Sequence, residues 1–265
     1  MAHEGKFVWY ELVTTDAAAA ASFYASVVGW EAEPAPQTTA GGEPYTVLRI
    51  PGAKMGSAGI MTISADMAAN GARPAWIGYI GVENVDAMTS AFTGKGGKVL
   101  MPPMDIPEIG RFSVVSDPQG AIIYLFTPRM PAGGVPEAPK PGTPGTVGWH
   151  ELYAADGPEA FAFYAGQFGW VKSTAMDMGA MGVYQLFAFA SDGPDVGAVM
   201  TKMANMPQPF WNYYFNVGAL DPAVEAIGRH GGSVINGPME VPGGSWIVQA
   251  VDPQGAMFSL VAPKR

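Results

Sequence analysis

One segment occurs twice in this chain, and that repetition limits how it can fold more than any other feature does. Residues 8–30, "VWYELVTTDAAAAASFYASVVGW", return at 148–170 as "GWHELYAADGPEAFAFYAGQFGW". Shifted by 140 positions, residues 9–30 match 149–170 at 10 of 22 places, including Trp9/Trp149, Glu11/Glu151, Asp16/Asp156, Tyr24/Tyr164 and Trp30/Trp170. A second block, 96–126, matches 231–261 at a shift of 135, with 12 identities in 31 and a shared "DPQGA" at 117–121 and 252–256. The second copy therefore has a net deletion of five residues between the two blocks. A period near 140 exceeds the roughly 20–50 residues of solenoid repeats, so this is a duplicated domain. The join is "PRMPAGGVPEAPKPGTPGT", residues 128–146, with six prolines and four glycines in 19 residues. Such a stretch resists helix and sheet and acts as a semi-rigid spacer. The domains are placed at 5–127 and 147–263.

Each copy reads as a strand, a helix and further strands, twice over. "FVWYELVT" is aromatic and β-branched, as strands are. Asp16 follows as an N-cap, and Ala21, Tyr24 and Val28 fall on one helical face, matched by Phe161, Tyr164 and Phe168 in the twin. Gly29 and Gly169 suit the helix stop. "PYTVLRI" and "SAGIMTI" read as strands, and then the scheme restarts. "AWIGYIGV" is a strand, "ENVDAMTSAFTGKGG" a helix, and "KVLM", "RFSVVS" and "AIIYLF" are strands. "DPQG" joins the last two with the residues a type I turn prefers. In the second copy the corresponding helix is expected to start at "DPAVEAI", with Asp221 as cap and Pro222 at the first helical position.

Composition excludes several classes. Hydrophobic residues make up 48% of the chain and charged residues 14%, enough for a sizeable core. The net charge of −9 lacks the basic footprint of a nucleic-acid or anionic-membrane binder. No apolar run approaches the ~18 residues of a membrane span. There are no cysteines, which removes disulfides, thiolate ligands and cysteine nucleophiles and fits a reducing cytoplasm. Residues 1–13 show neither the apolar region nor the cleavage pattern of a signal peptide. The expected partner is a small molecule, in the cytoplasm, with neither nucleic acid nor membrane involved.

The order strand, Asp cap, "FY", "GW", then a second module closing on "DPQG" and a strand, resembles the vicinal oxygen chelate superfamily. That group includes glyoxalase I, extradiol dioxygenases and bleomycin- and fosfomycin-resistance proteins. The likeness covers nearly the whole chain except the linker. In tandem, "W-x-E-L-x-x-x-D…FY…GW" is similar to two-domain glyoxalase-like proteins. The resemblance implies an α+β fold: two glyoxalase-like domains, each of paired βαβββ modules, with a curled mixed sheet around a cavity and helices outside. Single-domain relatives commonly dimerise. Here duplication can supply the partner within the chain, so a monomer with intramolecular domain pairing is expected.

The resemblance also implies where a metal would sit. Metal-dependent members place ligands at the start of each module's first strand, usually His, and on its last strand, usually Glu. Carried over, these positions fall on Trp9, Gly59–Met61, Ile77 and Tyr124, and on Trp149, Gly197–Val199, Asn212 and Ser259. None is His, Asp or Glu. The three histidines agree: His3 lies near the N-terminus, His230 reads as a helix C-cap, and His150 is adjacent to a ligand position, so strand alternation turns it toward the helices. No bound metal or other cofactor is expected.

Alternation along the strands sorts the remaining candidates. Trp9 and Glu11 share the ligand-position face, as do Trp149, Glu151 and Tyr153. Asn212, Tyr214 and Asn216 share it on "WNYYFNV", with Gln249 and Ser259 added, which makes the second domain the more polar. Tyr79 and Tyr124 add to the first. Burial beside a tryptophan is expected to raise a glutamate pKa, so Glu11 and Glu151 are candidate general acids or bases. The competing reading makes each a structural hydrogen-bond acceptor, since both copies keep it. Methionines at 176, 178, 181, 203 and 206 suit either adaptable apolar binding or gap filling. Two functions stay open. One is a metal-independent lyase or isomerase acting on a small carbonyl or aromatic molecule. The other is a resistance-type protein that binds and sequesters without chemistry. A metal-dependent glyoxalase or dioxygenase is disfavoured by the missing ligands.

Overall fold

Short-range chemistry starts and stops the helices. Asp16 accepts the amide of Ala19 and Asp156 that of Glu159, so each opens the first helix of its repeat. Gly169, at φ 73°, closes the second of these in the left-handed conformation that glycine adopts without strain. A computed structural model of the chain describes residues 4–39, 42–130, 134 and 136–265; His3 lies outside them.

The first repeat runs β1 (Phe7–Thr14), α1 (Ala17–Val27), β2 (Glu31–Thr38), β3 (Pro44–Arg49), β4 (Gly56–Thr62), α2 (Ala65–Ala69), β5 (Ala75–Gly81), α3 (Val85–Gly94), β6 (Lys98–Ile106), β7 (Gly110–Ser116) and β8 (Ile122–Pro128). The second runs β9 (Val147–Ala154), α4 (Gly157–Phe168), β10 (Val171–Asp177), β11 (Val183–Ala188), β12 (Asp195–Thr201), β13 (Phe210–Asn216), α5 (Leu220–Arg229), β14 (Ser233–Glu240), β15 (Trp246–Val251) and β16 (Met257–Ala262). Two eight-stranded mixed sheets result, ordered β2-β3-β4-β1-β5-β8-β7-β6 and β10-β11-β12-β9-β13-β16-β15-β14. The parallel pairs β1–β4, β5–β8, β9–β12 and β13–β16 recur at equivalent places. This is the expected α+β architecture of two tandem glyoxalase-like domains. Among the described residues no helix is long and apolar enough to cross a membrane.

Three elements escape the sequence reading, β2, β10 and the short helix α2, and one boundary is corrected. β2 holds Pro34 and Pro36, which argue against a strand but are tolerated on a sheet edge, where β2 lies. Its twin β10 occupies the equivalent edge of the second sheet. Asp221 is not the cap of α5: the helix begins two residues earlier than expected, at Leu220 after Ala219, which makes no side-chain cap bond. The Leu220 amide donates instead to the Lys264 carbonyl, which frees Asp221 to pair with Arg265 at 3.0 Å.

By compactness the chain divides into two units, and each draws on both repeats. One contains Met1–Val8, Ile77–Val135 and His150–Asn212; the other contains Trp9–Trp76, Pro136–Trp149 and Tyr213–Arg265. The duplicated motifs show how this works. Inside the first unit, Tyr164 of one "FY" donates to Asp117 of the other repeat's "DPQG" at 3.1 Å and accepts the Trp211 indole N–H at 3.1 Å. Inside the second, Tyr24 donates to Asp252 at 3.1 Å and accepts from Trp76 at 2.8 Å. Each aspartate also receives the amides of its own turn, Gln119 and Ala121 or Gln254 and Ala256. Desolvation raises both aspartate pKa values against these bonds. Trp170 donates to the Gly5 carbonyl at 2.6 Å and Trp30 to Gly145 at 2.9 Å, so both tryptophans plug a core.

This sharing predicts how a cut chain behaves. A protease site inserted after the exposed Ala138 and then cleaved is expected to leave both fragments eluting as one species of unchanged mass on size-exclusion chromatography. Separation of the fragments without denaturant would contradict the interleaved units.

Candidate functional site

The predicted residues fall into four clusters, each built within one unit. The first lies on β1, β3 and β4. Glu11 is 3% exposed and pairs in register with Gly59. Tyr45 lies over that glycine, so closely that a Cβ there would collide with its hydroxyl. From this position the hydroxyl accepts the indole N–H of half-buried Trp9 at 3.0 Å.

The second cluster is aromatic. Tyr79 and Tyr124 are register partners on β5 and β8 and meet edge to face at 4.5 Å, with Phe112 on β7 and Phe126 on β8 beside them. The row continues through Val114 to Met101.

Its counterpart in the second repeat is polar. Tyr214 pairs with Ser259, Ser259 with Gln249, and Gln249 with Asn236, along β13, β16, β15 and β14. Gln249 donates to the Tyr214 hydroxyl at 2.9 Å and accepts from Asn236 at 3.1 Å. Asn216 is engaged elsewhere: its amide donates to the Thr146 hydroxyl and carbonyl, fastening the end of the linker to β13.

The fourth cluster surrounds Glu151, which is 4% exposed on β9. One carboxylate oxygen accepts the Tyr184 hydroxyl at 2.7 Å, and the other accepts the Asn212 amide at 3.5 Å. Two residues along the strand, Tyr153 stacks on Phe210 with centroids 5.0 Å apart. Trp149 is half-buried on the same strand. Tyr184 corresponds to Tyr45, and position 198, opposite Glu151, is alanine where the first repeat has Gly59 opposite Glu11.

Sequence reading missed Tyr45, Tyr184 and Asn236. A signal existed for the tyrosines, since each is the second residue of the second strand after its repeat's first helix, in "PYTVLR" and "VYQLFA".

His150 takes no part in these clusters. It is buried, stacked on Phe7 at 4.3 Å, and its Nδ1 lies 2.7 Å from the Val196 carbonyl. A carbonyl only accepts, so Nδ1 carries the proton. Burial pushes the imidazole from 6.5 down to about 4, partly opposed by the Val196 bond, so it is neutral at physiological pH. Arg49 is committed to Glu33 at 3.3 Å and to the Lys54 carbonyl. A groove of about 230 Å3 opens beside α3 and α4, bordered by Lys95, Asp117, Gln119 and Glu159. Gln119 there exchanges hydrogen bonds with the Asp156 backbone, Lys95 reaches the Gly166 carbonyl, and Asp117 holds Tyr164.

The residues at the family's ligand positions do not fit a divalent ion. Indole, phenol, aliphatic, amide and hydroxyl groups stand where imidazole and carboxylate are needed. Among the described residues no group of three His, Cys, Asp or Glu is placed to hold one.

The family model described as Glyoxalase/Bleomycin resistance protein/Dioxygenase superfamily matches residues 6–125 and 146–260. The chain is 32% identical over 255 residues to "Putative glyoxylase CFP32" of Mycobacterium bovis, covering 96% of this chain and 94% of that protein. It is 31% identical over 265 residues to the anthracycline biosynthesis protein DauV of Streptomyces sp. strain C5, covering 97% and 93%. In fold it is similar to the Mn(II)-bound glyoxalase from Novosphingobium aromaticivorans, with a TM-score of 0.67 at 15% identity, covering 98% of this chain and 83% of that one.

Proposed function

The chain belongs to the Glyoxalase/Bleomycin resistance protein/Dioxygenase superfamily, and from that premise we propose that it is a metal-independent lyase or isomerase whose proton-transfer residue is Glu151. The observation that carries this reading is the buried carboxylate with a phenol at 2.7 Å on one oxygen and an amide on the other. A base needs a fixed position and a carboxylate held ready to take a proton, and the two donors supply the positioning. The substrate class is a small aromatic or carbonyl compound, in keeping with relatives named for anthracycline biosynthesis and as a glyoxylase. In this scheme Glu151 removes a proton beside a carbonyl, and Asn212 and Tyr153 orient the oxygen. The first repeat, with Glu11, keeps the scaffold.

The test is solvent deuterium exchange and turnover across a panel of aromatic and α-hydroxy carbonyl compounds. Glu151→Gln is expected to lower the rate by about 100-fold or more, within the range for loss of a general base, while Glu11→Gln changes it by less than about threefold. Equal activity in both variants and the parent protein would remove the acid–base role.

A second reading, binding without chemistry, is favoured by one feature of the first repeat. The row of Tyr79 and Tyr124, flanked by Phe112, is an aromatic surface that suits capture of a flat molecule.

A further inference from the structure

The face that carries Glu151 also holds a row of cross-strand partners, of which the proton-transfer scheme uses only Tyr184 and Tyr153. In register from β10 to β9 stand Met176, Tyr184, Met200 and Tyr153. Register partners on neighbouring strands share a face, and Tyr153 and Glu151 share it as residues i+2 and i. The Tyr184 hydroxyl on Glu151 confirms the side. Phe210, stacked on Tyr153, extends the row onto β13. The result is a strip of thioether and aromatic groups with one carboxylate beside it, about 7 Å away along the strand at ~3.3 Å per residue.

Three properties of this arrangement select a ligand. Methionine sulfurs and aromatic faces favour flat rings, and methionine adapts to their outline. An ionised carboxylate only accepts, so Glu151 favours a ligand edge that carries a donor. No residue of the strip is cationic, so a ligand turning a carboxylate or phosphate toward Glu151 meets repulsion without a counter-charge. The equivalent row of the first repeat is Tyr45, Met61 and Val13. There Val13 stands in place of Tyr153, so the aromatic end is missing.

We propose that this strip, resting on the assignment of Glu151 above, binds a planar aromatic molecule with a phenolic or enolic hydroxyl at one edge. The ring lies along Met176, Met200 and Tyr153, and its hydroxyl donates to Glu151. Tyr184 is a positioning residue that holds the carboxylate to receive it.

Calorimetric titration of the full chain with naphthol, its methyl ether and naphthoate tests this without requiring turnover. The ether keeps the rings and loses the donor; naphthoate replaces the donor with an anion. Naphthol is expected to bind about tenfold or more tighter than the ether, as one charge-assisted hydrogen bond allows, and naphthoate is expected to bind weakest. Glu151→Gln should erase the preference for naphthol over the ether, and Glu11→Gln should leave it intact. Tyr184→Phe should shrink the preference while ether affinity stays within about twofold. Met176→Ala should weaken naphthol and ether alike. Should Glu151→Gln fail to fold, the order of the three probes on the parent protein and the half-exposed Tyr184 and Met176 variants decide. Equal affinity for naphthol and ether, tightest binding of naphthoate, or loss of the preference in Glu11→Gln would overturn the assignment. The two readings fail separately. Naphthol binding as described with no proton exchange on any compound removes the enzymatic reading alone. Turnover lost in Glu151→Gln with the ring preference unchanged removes the ligand assignment alone.

Discussion

Replacing Tyr24 and Tyr164 together by phenylalanine is expected to lower stability by about 4–6 kcal/mol, the sum of two buried losses of about 2–3 kcal/mol each. Each hydroxyl accepts an indole N–H and donates to an aspartate whose other oxygen is held by turn amides. Phenylalanine keeps the ring packing and takes away both bonds. An indole N–H and a carboxylate oxygen then remain in a dry core, and leaving such groups short costs more than a hydrogen bond contributes. The two networks share no residue and lie in different units, so the single effects should add. The loss should also depend on pH. Both aspartate pKa values are raised by burial, and the tyrosine bonds work against that rise. A raised carboxyl pKa means stability present at low pH is lost as pH climbs through the folded value. Removing the hydroxyl raises that value further, so the penalty should be larger at pH 8 than at pH 4. Urea unfolding of the two single variants and the double variant measures this. A combined loss below about 1 kcal/mol would show that the bridges are incidental.

The second expectation concerns acid. His150 has a folded pKa of about 4 against 6.5 for the free side chain. A depressed value gives stability that is complete above the unfolded pKa and is lost as pH falls toward the folded one. The window is therefore pH 6.5 to 4, and the full loss is about 3 kcal/mol at ~1.36 kcal/mol per unit. Asp117 and Asp252 act in the opposite direction at the acid end, so the His150 contribution must be isolated by difference. His150→Phe keeps an aromatic ring against Phe7 but leaves the Val196 carbonyl without its imidazole donor. It should be less stable than the parent by about 1–2 kcal/mol at pH 7.5. That deficit should shrink by about 2–3 kcal/mol on going to pH 4.5, because the variant has no imidazole to desolvate. Parallel stability profiles for the two proteins between pH 7.5 and 4.5 would contradict a buried neutral histidine.

What could be read from the amino acids followed the range of the forces involved. The helix caps at Asp16 and Asp156, the glycine stop at 169 and the "DPQG" turns are satisfied within a few residues, so their signals are local. The alternation that set Glu151 and Asn212 on one face and Trp211 on the other also holds, with Trp211 reaching Tyr164 on α4. The partner of Glu151 was not legible. Tyr184 is 33 residues away, on a strand two places along the sheet, and only strand order brings it to the carboxylate. β2 was hidden by its prolines, whose cost vanishes at an edge. The interleaving of the units was invisible for a different reason. Tyr24 has two aspartates in equivalent turns available to it, Asp117 and Asp252, and the twin motifs are identical there. Composition cannot say which one it takes.

The choice of Asp252 has a consequence for synthesis of the chain. Tyr24 and its acceptor are separated by 228 residues. At about 5–20 residues per second, that delay is roughly 10–45 s on the ribosome. During this interval the nascent N-terminal half holds the motif of the wrong aspartate, Asp117, and none of the right one. The unit that contains Tyr24 cannot close until the last strands emerge. Translation therefore sets the earliest moment of native assembly, and a chaperone that shields the first half would act on a species waiting for its own C-terminus.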